Sequence, residues 1–336
     1  MDHGMSFLSR RGLLASAAVL PGLALAAAPV AAAAETIDAT IARTQAALRN
    51  AQGTKLVLLG TGGGPVPGQA RHMTSHVMLH NGAAYVLDCG MGATRQFART
   101  GIPFGAVRAI FITHHHPDHN IELGPFLVVG WVGGLRQTVR AYGPPPLTQM
   151  TQDLMSAYKA TIGFWAEDFH RPPLAMIETH DLPEAGAVVE DDNVRVASVL
   201  VQHPPVKPAY GYRFDFPDRS IAFSGDTVPL DAVAQMAKGA DILVHETMDL
   251  PAIEASLRRL LAQGAPGNLE NMMAHMHADH ATSEEVGRVA QEAGVKTLVL
   301  SHLVPGTFEV SDAGWRTPAA KHFKGRIIVG RDLMVI

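Results

Sequence analysis

The stretch AVRAIFITHHHPDHN, residues 106–120, decides the fold. Its first half is apolar and β-branched, as a buried strand should be. Its second half places four histidines and one aspartate between His114 and His119. His114 and His116 are two positions apart, so on extended backbone their side chains point the same way and His115 points away. Pro117 then forces a turn, and Asp118 and His119 come round on the far side. One short loop can therefore offer two ligands to one metal ion and two to a second. Several adjacent imidazoles without a metal would repel one another on protonation, which speaks against a purely structural cluster. Imidazole with carboxylate suits zinc, and also iron or manganese.

Working outward, the same pattern recurs. VRVASVLVQH reads as a strand ending at His203, SIAFSGD as one ending at Asp226, ADILVHE as one ending at His245-Glu246, and VKTLVLSH as one ending at His302. A sheet holds its strand ends close together, so these residues can converge on one rim. Strand ends are also rigid enough to fix a metal ligand. Upstream, residues 36–50 carry helical spacing, and TKLVLLG reads as a strand before the glycine-rich turn GTGGGPVPG. That turn lacks the Gly-Lys-Ser/Thr ending of a phosphate loop and reads as a plain connection. SHVMLHNG and AAYVLDCG form a hairpin through Asn81-Gly82, and ATRQFART is a helix closed at Gly101. In TSEEVGRVAQEAG, Thr282 and Glu285 make a capping box, with Gly294 as the stop.

Residues 144–173 change character and read as an insertion over the active-site side, with a helix near 149–162. Its Phe164, Trp165 and Phe169 either pack it onto the core, the favoured reading, or line a substrate pocket. His275, His277 and Asp279 precede His280 in AHMHADH and read as a polar loop. Residues 1–34 carry Arg10-Arg11, an Ala/Leu-rich stretch and an alanine run. They read as a twin-arginine signal, which makes the export machinery a partner of the precursor. Pro21, Gly22 and Pro29 interrupt the run, so no stable membrane anchor is expected. Residues 35–336 then form one domain, expected in the periplasm or outside the cell.

The 336 residues carry a net charge of −4 and one cysteine. A lone cysteine forms no internal disulfide, and Cys89 behaves as a small apolar residue. Neither the charge nor the insertion, with only Lys159 and Arg171 as basic residues, suggests a nucleic-acid partner.

His114-X-His116-X-Asp118-His119 resembles the signature of the metallo-β-lactamase superfamily over essentially all of residues 35–336. The resemblance implies an αββα sandwich, two mixed sheets flanked by helices, with a two-metal site at one sheet edge. It implies that His114, His116 and His203 hold one divalent ion, most simply Zn2+, and that Asp118, His119 and His302 hold the other, with Asp226 bridging. LGTGGG, VHETMD and DHATSEEVGRVAQEAGVKTLVLSH are similar to stretches of the ribonuclease Z and arylsulfatase-like branch. Met248 occupies a variable position there, and Ala281 stands where the branch has serine. By that likeness His280 lies near the leaving group and Glu246 orients it, while Asp118 holds the nucleophile or shuttles its proton. Branch members are often homodimers.

The expected activity is therefore an exported hydrolase of a small-molecule sulfate or phosphate ester, using hydroxide supplied by the metal pair. Lactone or β-lactam opening is the second reading. A ribonuclease and a noncatalytic metal-binding protein rank lower.

Overall fold

A computed structural model of the protein describes residues 35–49, 51–66, 69–170, 174 and 177–336. The leader reading of residues 1–34 lies outside them. No helix among the described residues is long and apolar enough to cross a membrane.

Among the described residues, fourteen strands form two sheets. β1 (Lys55–Gly60), β2 (Ser75–His80), β3 (Ala83–Leu87), β4 (Val107–Phe111), β5 (Val139–Gly143) and β6 (Ile177–Asp181) belong to the first. β7 (Gly186–Glu190), β8 (Arg195–Leu200), β9 (Tyr210–Asp215), β10 (Ser220–Phe223), β11 (Ile242–Met248), β12 (Thr297–Val304) and β13 (Arg326–Val329) make the second. β14 (Met334–Val335) returns to the first sheet beside β1. The sheet orders are β14-β1-β2-β3-β4-β5-β6 and β13-β12-β11-β10-β9-β8-β7, each mixing parallel and antiparallel pairs.

Strand alternation builds the layers. In β1, Leu56 and Leu58 face the second sheet, meeting Tyr212, Phe214, Phe223 and Val244 in the central core. Val57 and Leu59 face the other way, onto Phe97 and Phe126 of helices Ala93–Thr100 and Leu123–Val132. On the far side of the second sheet, Leu243, Leu298 and Leu300 pack against Val286, Ala290 and Trp315 of helices Ser283–Ala293 and Asp312–Ala320. The result is the expected αββα arrangement. Each fully buried large side chain in these layers contributes about 1.5–3 kcal/mol relative to exposure.

Local signals match their elements. The β2–β3 hairpin turns at Asn81 (φ 48°) and Gly82 (φ 76°), the positive φ pair that a two-residue type I′ turn requires. Helix Ser283–Ala293 carries the reciprocal capping box of Thr282 and Glu285 and stops at Gly294, φ 63°.

Three expectations change. AHMHADH is not a loop: helix Leu269–Asp279 runs through it, capped by the Asn268 side chain, and His275 pairs with Asp279 one turn on. The aromatic residues of the 144–173 segment do not pack it onto the core. No residue of helix Lys159–Asp168 is buried, and Phe164 is 67% exposed. The segment is anchored instead at its start, where the His115 ring bonds Pro144 O at 2.8 Å and Asn120 reaches Met150 of helix Leu147–Ala157. Finally, His203 and Asp226 do not end their strands. β8 stops at Leu200 and β10 at Phe223, so both ligand-type residues sit on the loops that follow.

Candidate metal centre

The β4 chain leaves the first sheet at Phe111 and delivers the histidine cluster to the sandwich edge. Pro117 opens a short helix, Pro117–Asn120, at the position where its missing N–H costs nothing, and this swings Asp118 and His119 inward. Gly90 lets that turn approach β3. A Cβ there would lie 2.1 Å from Asp118 O.

Imidazole and carboxylate atoms from both sheets meet here in two groups: His114, His116 and His203, and Asp118, His119, Asp226 and His302. His116 Nδ1 lies 3.1 Å from His114 Nε2 and 2.9 Å from His203 Nε2. A single oxygen, Asp226 Oδ2, faces both groups, 2.9 Å from His302 Nε2, 3.3 Å from His119 Nε2, 3.8 Å from His203 Nε2 and 3.9 Å from His114 Nε2. Asp118 Oδ2 lies 3.3 Å from His302 Nε2 and 3.5 Å from His119 Nε2. All seven residues named from the sequence therefore gather in one cluster joined through Asp226, and only His116 is more than marginally exposed.

Backbone strain aims one of them. β11 and β12 run in register from Ile242↔Thr297 to Glu246↔Ser301, then shift, with Thr247 opposite Leu303. The extra residue is His302, at φ 43°. A bulge with a non-glycine residue at positive φ is costly and turns the ring out of the ladder into the site.

The donor atoms fit a cation. His203 Nδ1 donates to Asp279 O at 3.1 Å. A carbonyl only accepts, so the neutral ring has its bare Nε2 pointing into the cluster. Asp118 Oδ1, Asp226 Oδ1 and His119 Nε2 are buried without a hydrogen bond, and buried polar atoms in that state call for an ion or water. Burial would lower the His119 imidazole, but Asp226, Asp118 and Asp88 outweigh it and raise its pKa well above the usual value. Burial likewise opposes a charge on His302, yet Asp226 and Asp118 raise it to about 10. Deeper in, burial and His119 push the His114 pKa well below its ordinary value. The pocket thus attracts positive charge, and a metal cation can take the place of the protons held there.

Beside the cluster, His280 Nδ1 donates to Glu246 Oε1 at 3.0 Å, and the same oxygen accepts the Thr227 N–H at 2.9 Å. The His280 ring centre is 5.1 Å from that of His203 and 5.6 Å from that of His302. Burial would lower the His280 pKa, but the Glu246 carboxylate raises it. A protonated imidazole held next to a metal site is a proton donor.

Two contributors escaped the sequence reading. Asp88, φ 59°, accepts His119 Nδ1–H at 2.8 Å through Oδ2 and Thr113 N–H at 2.8 Å through Oδ1, so it fixes the orientation of the His119 ring. Its signal was present in YVLDCG: another apolar strand finishing on a carboxylate. The glycine run is more than a connection. Gly64 N–H donates to Asp118 Oδ2 at 2.8 Å, and a Cβ on Gly63 would lie 2.5 Å from the His302 ring. Lys207 is exposed, and His275 and His277 face solvent on their helix.

A two-sheet sandwich with this cluster at its edge defines a metal-dependent hydrolase of the metallo-β-lactamase fold. The family model described as Anti-Pycsar protein Apyc1 matches residues 54–303. Ribonuclease Z of Mycobacterium bovis (strain BCG / Pasteur 1173P2) is 32% identical over 285 residues, 83% of this chain and 96% of that protein. Among solved structures, the metallo-β-lactamase fold protein YhfI from Bacillus subtilis aligns with a TM-score of 0.62 at 18% identity, covering 84% of this chain and 98% of its own. The short form of human tRNase Z aligns with a TM-score of 0.59 at 21% identity, covering 84% and 98%. The chain belongs to the family that the matching model describes, and with it to the ribonuclease Z branch of the metallo-β-lactamase superfamily.

That kinship corrects two expectations. Relatives named ribonuclease Z, matched over nearly their whole length, favour a nucleic-acid hydrolase over an exported sulfate-ester hydrolase, and they remove the ground for expecting no nucleic-acid partner. The earlier expectation leaned on a net charge of −4. Net charge is a sum over the whole surface, and it does not report the local potential along a binding cleft.

Proposed function

We propose that the protein hydrolyses a phosphodiester bond of RNA at a site holding two divalent metal ions, with zinc the best match to the imidazole-rich donors. The observation that carries this reading is the Glu246–His280 pair beside the metal cluster. The ribose oxygen that leaves a phosphodiester is a poor leaving group and needs a proton, and His280 is built to supply one. The kinship with ribonuclease Z supports the same substrate class.

His114, His116 and His203 would hold one ion and Asp118, His119 and His302 the other, with Asp226 shared. When bound, such a pair supplies hydroxide at neutral pH and neutralises charge building on the phosphoryl oxygens. Asp118 is fixed by Gly64 N–H through Oδ2, which leaves Oδ1 to take the proton of the attacking water. As the water oxygen bonds to phosphorus and the bond to the ribose oxygen breaks, His280 passes its proton to the departing oxygen. Glu246 keeps His280 aimed and charged, and the Thr227 N–H keeps Glu246 in place. Buried Asp88 stops the His119 ring from turning.

The test compares initial rates of the metal-loaded protein on a 3′-extended RNA, an aryl sulfate and a simple lactone, with Asp226→Ala as blank. Cleavage of the RNA that vanishes in the blank supports the proposal. Turnover of the sulfate or lactone with the RNA left intact defeats it.

A further inference from the structure

Beside the metal cluster, between the sheets, lies a small cavity of about 20 Å³ with mixed polar and apolar walls. Its walls include His76 from β2, Ser301 and His302 from β12, and Glu246 from β11. His119 and Asp226 of the cluster line it as well, whereas His114, His116, Asp118 and His203 do not, so it lies against the inner side of the cluster. Besides His119 Nε2 and Asp226 Oδ1, which belong to the metal cluster, four atoms of its walls are buried without a hydrogen bond: His76 Nδ1, Ser301 Oγ, Glu246 Oε2 and His302 Nδ1. Strand register explains why they meet. Glu246 and Ser301 are directly paired across β11 and β12, the bulge turns His302 in beside them, and His76 stacks on Phe223 at 5.4 Å from the opposite sheet.

The distance between Glu246 Oε2 and His302 Nδ1 is 3.9 Å, too long for a direct hydrogen bond. One water needs about 10–15 Å³ and two to four polar partners, and the cavity meets both conditions. We propose that a single ordered water sits here, donating to Glu246 Oε2 and His76 Nδ1 and accepting from His302 Nδ1–H and Ser301 O–H. Two donors and two acceptors satisfy the water and all four orphaned atoms. Glu246 then positions two histidines with its two oxygens: His280 directly through Oε1, and the ligand His302 through the water on Oε2. Ser301 and His76 are positioning residues that keep the link closed. The proposal rests on His302 serving as a ligand but not on which ester the site cleaves.

The first test is a high-resolution crystal structure, with and without zinc. Density for a water about 2.7–3.1 Å from Ser301 Oγ and Glu246 Oε2 is expected in both, and a dry cavity in both overturns the proposal. The second test is zinc affinity by chelator competition. Ser301→Ala leaves the water three partners, whereas Ser301→Val fills the cavity and expels it. Breaking an outer partner of a metal-bound histidine typically weakens metal binding about 10–100-fold, so the Val variant should lose at least about tenfold and the Ala variant less. Zinc binding by the Val variant as tight as by wild type overturns the link. If the Val variant does not fold, the wild-type density decides. Failure of RNA cleavage alone leaves both readouts intact and counts only against the substrate proposed above.

Discussion

Replacing Glu246 by Gln removes a charge while keeping the geometry. Glu246 Oε1 accepts from both Thr227 N–H and His280 Nδ1–H, and a glutamine carbonyl oxygen can accept the same two bonds. What disappears is the negative charge that holds His280 protonated against its burial. With charge centres about 4 Å apart and an effective dielectric constant of about 20, the lost attraction is about 4 kcal/mol. Asp226 also raises the His280 pKa and remains in the variant, so part of the bias towards the charged form survives. The sign is fixed: the acid form of His280 is lost at lower pH, so the alkaline limb of the kcat/KM profile moves down. On a diester with an alkoxide leaving group, the rate above that limb should fall about 100-fold, the lower end for loss of general acid catalysis. On bis-nitrophenyl phosphate the loss should be much smaller, because nitrophenolate departs without a proton. Metal content is measured in parallel, since the same carboxylate faces His302. An unshifted pH profile, or an equal loss on both diesters at unchanged metal content, refutes His280 as the proton donor.

Asp226→Ala should remove nearly all activity and much of the bound metal, because one oxygen of this residue faces both ligand groups; normal turnover with full metal content by elemental analysis contradicts the assignment. Asp88→Ala deprives His119 of its buried orienting partner and should weaken zinc binding about 10–100-fold in chelator competition, and an unchanged affinity would show that the ring is held by packing alone. The raised His302 pKa, about 10 without metal, has two consequences. Zinc must displace that proton at neutral pH, so apparent affinity should rise between pH 6.5 and 9, about tenfold per unit for each proton displaced. In the metal-free protein the same group contributes stability that is complete below its unfolded value near 6.5 and is lost as pH rises through about 10. The melting temperature of the metal-free form should therefore fall from pH 7 to 10; a rise over that range contradicts the sign.

The sequence by itself determined a good deal. His114, His116, Asp118 and His119 lie within six positions, so chain geometry alone forces them together, and apolar strands running towards His203, Asp226, Glu246 and His302 announced a sheet-edge site. The β2–β3 turn and the Thr282 cap were legible because a turn or a cap is decided by a few neighbouring residues. The helix through His275 and His277 was missed because its exposed histidines mask a weak apolar periodicity. The exposed aromatics of helix Lys159–Asp168 misled because apolar character does not say which face is covered.

Only the tertiary structure decided the rest. Asp88 is far in sequence from His119, and nothing local distinguishes its carboxylate from any other at a strand end; the pairing exists because β3 and β4 are parallel neighbours. The role of Gly64 depends on the loop after β1 closing over Asp118. The aim of His302 depends on a one-residue register shift between β11 and β12. Register, like the meeting of His76 with Ser301 across two sheets, is set by pairing and packing over the whole sandwich, and a strand carries no record of it in its own residues.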